Sequence, residues 1–323
     1  MSIRIIDFPH SIPEAAYRQA LKSMTERVVR TKMAKAVYQV GGISSPGISD
    51  LDMVVVFQDN AMVEENLLAG LTKEEQYLFI HNLYGISERK FAEAEQFAFY
   101  HQYELLAGVD LRSHSRLPAP DIEELKIQIA LEFMVKMHVT LFLQSSYGVL
   151  RMRDLLLHVK ALQYDLDFLG VTGDKVNRHI SQVLEWRNSW FKSLPAERDI
   201  LAWWKAFYTD FDRLLRDKFA SLPFYLPAQT SYSIAKNILL LPSEDRISSS
   251  HKGLILPKLL SLIGKKYFRL QNRLNRFQFN IPVKSDHFPD VIEKKFRFEK
   301  DIVDYNKKYL PHFLPITSSL HAI

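Results

Sequence analysis

The sequence predicts an α+β protein with a small mixed-sheet domain (residues 1–117), a helical domain (residues 118–222) and a basic C-terminal region (residues 223–323). Strand and helix patterns alternate throughout the first region, and helical patterns then follow one another without a strand between them. The third region contains many prolines and most of the excess positive charge, and we expect it to pack on the helical domain.

The N-terminal domain is expected to begin with a helix. Ser11 is placed to cap it, Pro13 stands in its first turn, and apolar residues recur at helical spacing as far as about Lys35. The sequence predicts strands at residues 36–41, 51–57, 77–84 and 103–109, and a second helix at residues 88–100. Such a mixture of short elements is typical of a small mixed sheet.

The helical domain is predicted to start at Asp121, which can cap a long helix reaching about Ser145. Glycine, proline or serine then bounds three further helices, at residues 148–168, 174–191 and 198–219. In the C-terminal region we expect short strands at residues 238–241 and 254–256, a loop tip at residues 248–250, and a basic helix at residues 259–277.

Composition restricts the class of protein. The 323 residues are 47% hydrophobic, which is enough for a buried core and about two domains. No apolar run approaches the ~20 residues of a membrane helix, and the N-terminus lacks the apolar segment of a signal peptide. The absence of cysteine excludes disulfides, zinc ribbons and thiol catalysis. We therefore expect a cytoplasmic protein without a membrane span.

Charge is unevenly distributed. The formal net charge is +5, but residues 251–323 contain 14 Lys or Arg against 6 Asp or Glu, a net +8, which leaves −3 for the rest. A basic region of this kind can attract phosphorylated ligands, nucleic acid or an anionic membrane surface, or it can be a solvated face that keeps the protein soluble.

Residues 38–57 carry the strongest functional signal. An apolar strand ends at Val40, the pair Gly41 and Gly42 follows, and a short loop leads to Ser49-Asp50-Leu51-Asp52 and a second apolar run. Residues two apart in a strand point to one face, so Asp50 and Asp52 are expected to lie together. Paired carboxylates repel each other and are most readily stabilised by a divalent cation, here Mg²⁺ or Mn²⁺.

The glycine pair suits an anion, because no Cβ prevents the backbone from approaching it. Ser44 and Ser49 add hydroxyl groups nearby. The strand, glycine pair, loop and carboxylates together predict a site for a metal-bound nucleoside triphosphate, although a Pro-Gly turn followed by Ser-Asp is also an ordinary hairpin sequence.

This segment resembles the signature of the nucleotidyltransferase superfamily with the DNA polymerase beta-like fold. Val40-Gly41-Gly42 matches its first half and Ser49-Asp50-Leu51-Asp52 its second, with a loop somewhat shorter than in many members. An α/β unit followed by a helical domain is also similar to the aminoglycoside nucleotidyltransferases. The resemblance implies two-metal transfer of a nucleotide monophosphate to a hydroxyl, with Asp50 and Asp52 holding metal and Gly41, Gly42, Ser44 and Ser49 binding the nucleotide.

The family pattern also asks for a third carboxylate on a later strand, and the sequence leaves its identity open. The predicted strand at residues 77–84 offers His81 and Asn82 in place of an acid. Glu104 and Asp110 are the alternatives. Asp110 is slightly favoured as the third catalytic residue, although turn aspartates are often satisfied by local backbone. His81 suits a packed core position, but an imidazole can also accept a proton from a hydroxyl.

Three further groups have a structural and a functional interpretation. The stretch with Lys265, Lys266, Arg269, Arg273 and Arg276 is either a solvated basic face, with Tyr267, Phe268 and Phe277 in the core, or a grip for nucleic acid or a phosphorylated acceptor. Arg151, Arg153, Asp154, His158 and Lys160 either pair on a helix surface or contact the substrates. The four tryptophans are expected to pack between helices, with stacking on an acceptor ring as the alternative: Trp186, Trp190, Trp203 and Trp204.

The function expected from these residues is Mg²⁺-dependent nucleotidyl transfer to a hydroxyl of a small, sugar-like acceptor. A nucleotidyltransferase-like protein that binds a nucleotide or a partner without catalysis is one alternative, because the third acid is not evident. An RNA-extending enzyme is another, favoured only by the basic C-terminal region. Nucleic acid is therefore a less favoured partner than a nucleoside triphosphate and a small acceptor.

Overall fold

The computed structural model describes residues 3–97, 102–112, 117–227, 232–244, 246–284, 288–317 and 319–322. Its helices, in chain order, are α1 (Glu14–Arg30), α2 (Lys73–Leu78), α3 (Glu88–Phe97), α4 (Ala119–Tyr147), α5 (Met152–Phe168), α6 (Lys175–Ser189), α7 (Glu197–Ser221), the 3-10 helix η1 (Lys258–Ile263), α8 (Lys265–Leu274) and α9 (Asp290–Tyr309). Its strands are β1 (Arg4–Ile6), β2 (Ala34–Val40), β3 (Asp52–Phe57), β4 (Tyr84–Ser87), β5 (Tyr103–Gly108), β6 (Val149–Arg151), β7 (Tyr232–Ala235), β8 (Ile238–Ser243), β9 (Ser248–Gly253), β10 (Asn275–Pro282) and β11 (His321–Ala322).

The chain forms two compact units, and neither is continuous in sequence. The small-sheet unit contains His10–Asp121 and Glu293–Thr317, and the helix-rich unit contains Met1–Pro9, Ile122–Ile292 and Ser318–Ile323. The protein is of the mixed α and β class with mixed sheets, compatible with the predicted α+β class. The proposed separate region at residues 223–323 needs correction, because most of α9 and the segment after it belong to the small-sheet unit.

The small-sheet unit is built on a four-stranded sheet with the strand order β4-β3-β2-β5. β2 is antiparallel to β3 and to β5, whereas β3 and β4 are parallel, so the sheet is mixed. Tyr17, Met24 and Val28 of α1 pack on one face, and Phe91 of α3 with Ile302 of α9 packs on the other. Burial on both faces explains the uninterrupted apolar run Met53 to Phe57, where each residue is at most 1% exposed.

The strand predicted at residues 77–84 is wrong. Thr72 and Glu75 form a capping box, with each side chain satisfying the other's backbone amide, and this starts α2 at Lys73. Tyr77 and Leu78 therefore end a short helix, and the strand begins only at Tyr84. The apolar sequence suited a buried helical turn as well as a strand, and the cap decided between them.

The first helix is shorter than predicted. Lys32 has a positive φ of 59°, a conformation that a helix cannot continue through, and β2 begins at Ala34. Pro13 occupies the position before the helix and no side chain caps it, so the capping role expected of Ser11 is also wrong. The predicted strands that enclose the glycine loop are confirmed within two residues.

The helix-rich unit contains the four predicted helices, here α4 to α7, but β6 lies between α4 and α5 at residues 149–151, which were predicted to be helical. Helix α4 begins at Ala119, so Asp121 lies in its first turn and does not precede it. The unit also contains a five-stranded sheet of order β11-β7-β8-β10-β9 and the parallel pair β1 with β6. Among the described residues α4 is the one helix long and apolar enough to cross a membrane, but 67% of its most apolar window is buried within the protein. Such burial is typical of a core helix in a soluble protein.

Three predictions in this unit are wrong. Residues 248–250 begin the exposed strand β9, which pairs antiparallel with β10 and which its serine-rich sequence did not indicate. Residues 254–256 do not form a strand. Gly264, with a φ of 62°, divides the predicted basic helix into η1 and α8, and its last residues, 275–277, belong to β10.

Candidate metal and phosphate site

The β2–β3 hairpin brings the glycine pair and the carboxylates to one edge of the sheet. Val40 lies opposite Asp52 in the antiparallel register, so the chain leaves β2 at Gly41 where β3 starts. Gly41 has a φ of 73° and its amide donates to the Gln102 carbonyl at 3.1 Å. The turn that the sequence indicated is therefore positioned by the hairpin and by the chain entering β5.

Two tyrosines hold the loop between these strands. The Tyr17 hydroxyl, from α1, donates to the Ser49 carbonyl at 2.8 Å and accepts from the Gly47 amide at 2.8 Å. The Tyr77 hydroxyl, from α2, donates to the Gly47 carbonyl at 2.5 Å. The Leu51 amide also donates to the Leu78 carbonyl at 3.0 Å. Contacts from two helices thus fix the backbone that leads to Asp50 and Asp52.

Asp50, Asp52 and His81 form the candidate metal cluster, since each offers a ligand atom and these atoms lie within 4.8 Å of one another. His81 Nε2 is 2.7 Å from Asp52 Oδ1, and both side chains are about one third exposed (30% and 33%). On the other side of the ring, His81 Nδ1 donates to the Asn82 carbonyl at 2.7 Å. With Nδ1 donating to this carbonyl, the proton that Nε2 shares with Asp52 belongs to the protonated ring, and a metal ion would take the place of that proton on Nε2.

Strand pairing explains why His81 reaches this place. β4 is parallel to β3 with Tyr84 beside Val54, so the residues before Tyr84 lie at the same sheet edge as Asp52. The connection from α2 to β4 passes through this edge, and His81 lies within it. Sequence reasoning named His81 as the replacement for an acid, but on a strand that does not form there.

The carboxylates of the cluster affect the pKa of neighbouring side chains. Burial lowers the pKa of His81, but the hydrogen bond and the negative charge of Asp52 outweigh it, and the pKa is raised above its usual value. Burial, with smaller contributions from Asp52 and Asp50, raises the pKa of the neighbouring Tyr84 well above its usual range. Asp50 and Asp52 thus place two carboxylates beside one imidazole. The three residues could hold a metal ion.

The glycine pair opens onto a cavity of about 630 Å³ in the same unit. No heavy atom lies within 4 Å of a Cβ built on Gly41, and on Gly42 such an atom meets only the side-chain oxygen of Gln102, at 3.3 Å. The lining carries mixed charge, with cations from α1 beside acids from α1 and β5: Glu14, Arg18, Lys22, Glu26 and Glu104. Glu104 is therefore near the glycine turn and is absent from the metal cluster.

The two predicted serine ligands differ in their surroundings. Ser44 is exposed beside the glycine pair. Ser49 is 3% exposed, and its hydroxyl accepts from the Ser45 amide at 3.2 Å. The Ser49 side chain thus takes part in the internal bonding of the loop, whereas Ser44 faces solvent.

Asp110 is not part of the cluster. It follows β5, whose Gly108 pairs with Ala36. Asp110 therefore lies toward the other edge of the sheet, away from Val40 and Asp52. Arg112 Nε and one terminal nitrogen contact its two oxygens at 2.9 and 2.5 Å, and the Tyr38 hydroxyl donates to it at 3.0 Å. Hydrogen bonds from Arg112 hold the pKa of Asp110 well below its usual range. A carboxylate held in this way has a local structural partner and little capacity to accept a proton.

The remaining candidates on α5, the four tryptophans and the aromatic residues of the basic stretch have structural roles. Arg151 contacts Asp154 at 3.3 Å, and His158 lies 3.9 Å from the same carboxylate. The tryptophans are buried, as predicted: Trp186, Trp190, Trp203 and Trp204. Tyr267 and Phe277, in the basic stretch, are at most 3% exposed. Their rings face the interior and are not available for stacking on a base.

Sequence reasoning missed the residues that support the loop. In the sequence Tyr17 lies within the predicted first helix and Tyr77 at the start of a predicted strand, and neither position indicates the hydroxyl contacts, which depend on tertiary packing. Arg18 and Lys22 on the outer side of α1 gave a weak signal, since exposed cations are common on helices. The one-turn spacing of Arg18 and Lys22 could have identified them as a pair on one face.

No protein-family model matches the sequence, and no curated protein or solved structure matches the chain.

Proposed function

We propose that the chain is a metal-dependent nucleotidyltransferase that transfers a nucleotide monophosphate from a nucleoside triphosphate to a hydroxyl of a small, sugar-like acceptor. One observation carries the proposal: Asp50, Asp52 and His81 converge beside the Gly41–Gly42 turn, at one edge of the sheet. This combination suits a ligand with both phosphates and a bound metal. The motif resembles that of the nucleotidyltransferase superfamily, which supplies the type of reaction.

The chain's own groups have distinct tasks in this proposal. The open backbone at Gly41 and Gly42 receives the phosphates, with Lys22 and Arg18 lining the same cavity. Asp50, Asp52 and His81 hold the metal, which when bound neutralises charge developing on the transferring group. The loop contacts of Tyr17 and Tyr77 keep the carboxylates in position before the substrates arrive.

The proposed reaction is a simple displacement. The acceptor hydroxyl oxygen forms a bond to the α-phosphorus, the bond from that phosphorus to the bridging oxygen breaks, and pyrophosphate leaves with the bonding electrons. The hydroxyl proton passes to water. Positioning of the two substrates accounts for much of the rate in this type of reaction.

The donor set suits Mn²⁺ better than Mg²⁺. Both ions accept carboxylate oxygens, and both were expected from the sequence. The His81 imidazole adds a nitrogen, which transition-metal ions bind more readily than Mg²⁺ does. We therefore propose Mn²⁺ as the preferred ion and Mg²⁺ as a weaker substitute.

A nucleotide-binding protein without catalysis is the second candidate. One observation favours it: in the part of the chain that the structure describes, a histidine completes the cluster where a third carboxylate was expected. Such a protein would bind a metal-bound triphosphate without consuming it.

Pyrophosphate release with each nucleoside triphosphate, a panel of sugar-like alcohols and Mn²⁺ or Mg²⁺ tests the proposal. We expect Asp52→Asn to lower kcat/KM by about a thousandfold, because one metal ligand is lost. Asp110→Asn is the matched control and should retain activity, since its partner is Arg112. Native activity in Asp52→Asn would contradict the proposal. Mn²⁺-dependent triphosphate binding without turnover, lost in Asp52→Asn, would favour the binding protein.

A further inference from the structure

The helix-rich unit exposes an unusually apolar surface, which we call the leucine surface. It comprises the exposed large side chains of residues 254–274: Leu254, Ile255, Leu259, Leu260, Leu262, Ile263, Leu270 and Leu274. Leu254, Leu259 and Leu262 are the most open, at 66%, 77% and 62%. Single exposed leucines are common, but a contiguous group within one short segment indicates an interaction site.

In the 3-10 helix η1 the polar residue is buried and apolar residues are exposed, which is the reverse of an ordinary surface element. The polar residue Ser261 is 3% exposed, while four of its neighbours in the element are exposed and apolar. Side chains three apart lie one above the other in a 3-10 helix, so Leu259 stacks on Leu262 and Leu260 on Ile263. The element therefore presents two apolar columns outward.

Helix α8 continues this surface. Its inner face is formed by Tyr267 and Gln271, which are buried. Leu270 and Leu274, one turn apart, border that face and are 39% and 47% exposed. Lys266, Arg269 and Arg273 occupy the outer side of the helix. The helix thus places exposed leucines next to a row of cations.

The sequence around the leucine surface is strongly basic. Between residues 246 and 285 the sequence has no aspartate or glutamate, but nine cations: Arg246, Lys252, Lys258, Lys265, Lys266, Arg269, Arg273, Arg276 and Lys284. Lys265 pairs with Asp7. Within the described ranges, Lys252, Lys266, Arg269 and Arg273 lack a carboxylate partner. The surface is therefore both apolar and cationic.

The neighbouring sheet also carries positive charge. Lys236, Lys252 and Arg276 line a cavity of about 670 Å³ whose lining contains no acid. Lys252 and Arg276 are each two residues from an exposed leucine, Leu254 or Leu274. The cationic border of the leucine surface thus extends across the strands on either side of it.

We propose that the leucine surface binds an anionic lipid bilayer peripherally. Exposed leucines and isoleucines can enter the boundary between headgroups and acyl chains, while lysine and arginine side chains extend to the lipid phosphates. Each cation near an anionic membrane adds electrostatic attraction. Exposed apolar side chains alone, or cations alone, do not require a bilayer. The presence of both on one surface is what favours it.

Two other occupants fit less well. Binding of single-stranded nucleic acid commonly uses exposed aromatic rings between the cations, but Tyr267 and Phe277 are buried and the apolar side chains exposed here are aliphatic. A two-fold dimer through this surface would place like charges opposite each other, because the same patch meets itself. The charge and the apolar side chains are therefore best satisfied together by anionic lipid.

Sedimentation of the full-length protein with vesicles tests the proposal. We expect binding to phosphatidylcholine vesicles that contain phosphatidylglycerol, little binding to phosphatidylcholine alone, and weaker binding as salt increases. Leu259→Ser with Leu262→Ser removes apolar area without changing charge, and Lys266→Gln with Arg269→Gln does the reverse. Each pair should lower the partition coefficient about tenfold.

Matched controls come from the same unit. Leu194→Ser changes a leucine that is 57% exposed elsewhere, and Lys205→Gln changes an exposed lysine of α7. Both should bind like the wild type, and circular dichroism verifies that all variants are folded. Absence of binding to anionic vesicles at low salt would overturn the proposal. So would RNA binding sensitive only to the charge changes, or a dimer that the leucine changes convert to a monomer without any vesicle binding.

Discussion

The small-sheet unit has two carboxylate sites near opposite edges of one sheet, and the carboxylates of the two sites have different partners. Asp110 has a guanidinium partner in Arg112, with two parallel contacts, and a hydroxyl donor in Tyr38. The cluster at the other edge has two acids, Asp50 and Asp52, and a single imidazole. The first site is complete within the chain. The second brings two carboxylates to one imidazole, a set of donors that suits a bound cation.

The glycines near the two sites differ in how closely other atoms pack around them. A Cβ on Gly108, which has a φ of 87°, would overlap the Lys35 carbonyl oxygen in the neighbouring strand. A Cβ on Gly41, which has a φ of 73°, would meet no atom within 4 Å. Close packing requires glycine at the Asp110 edge. At the cluster edge the space is open, and only the backbone conformation favours glycine.

Alanine at the two glycines should give the largest difference between the edges. We expect Gly108→Ala to lower the free energy of unfolding by about 3 kcal/mol, because both the positive φ and the overlap with Lys35 are unfavourable. Gly41→Ala should cost about 1 kcal/mol, from the backbone conformation alone. Urea unfolding measures both values. Equal losses would show that the two edges are packed alike.

Replacing His81 tests what makes the cluster different. His81→Asp exchanges the nitrogen donor for oxygen, so we expect the ratio of Mn²⁺ affinity to Mg²⁺ affinity to fall about tenfold. Calorimetric titration of each ion into the wild type and the variant measures this ratio. Asp110→Asn should leave the ratio unchanged, since Asp110 is bonded to Arg112. An unchanged ratio in His81→Asp would mean that the imidazole is not a ligand.

The smallest effect is expected at Asp110, which pairs with Arg112. The pKa of Asp110 is below its usual value, so its contact with Arg112 stabilises the fold above about pH 4, and this contribution is lost as the pH falls further. Asp110→Asn should therefore lower the free energy of unfolding by less than about 1 kcal/mol at pH 7, because both side chains are partly exposed. Urea unfolding at pH 7, 5 and 3 should show the difference from wild type shrinking toward pH 3. A constant difference would exclude the charge of Asp110 as its cause.

Local patterns in the sequence predicted the hairpin and the run of helices correctly. The strands at residues 36–41 and 51–57 have long apolar runs separated by a glycine-containing turn, and these signals depend only on neighbouring residues. The helices α5 to α7 have an apolar face at helical spacing, and Asp174 caps the start of α6. Helix α4 is apolar on most of its surface, so its length and composition indicated it rather than a one-sided pattern. The same reasoning failed at residues 77–84 and 248–250, where a helix cap or pairing with a distant strand decided the conformation.

The sequence alone determined that Gly41, Gly42, Asp50 and Asp52 stand close together, because two antiparallel strands joined by a short loop keep their connected ends adjacent. Only the tertiary structure decided which further residue joins them. The parallel pairing of β4 with β3 brings His81 to Asp52, and the antiparallel course of β5 takes Asp110 toward the opposite edge. Strand direction within a sheet arises from packing between segments far apart in sequence, so spacing could not distinguish these two candidates.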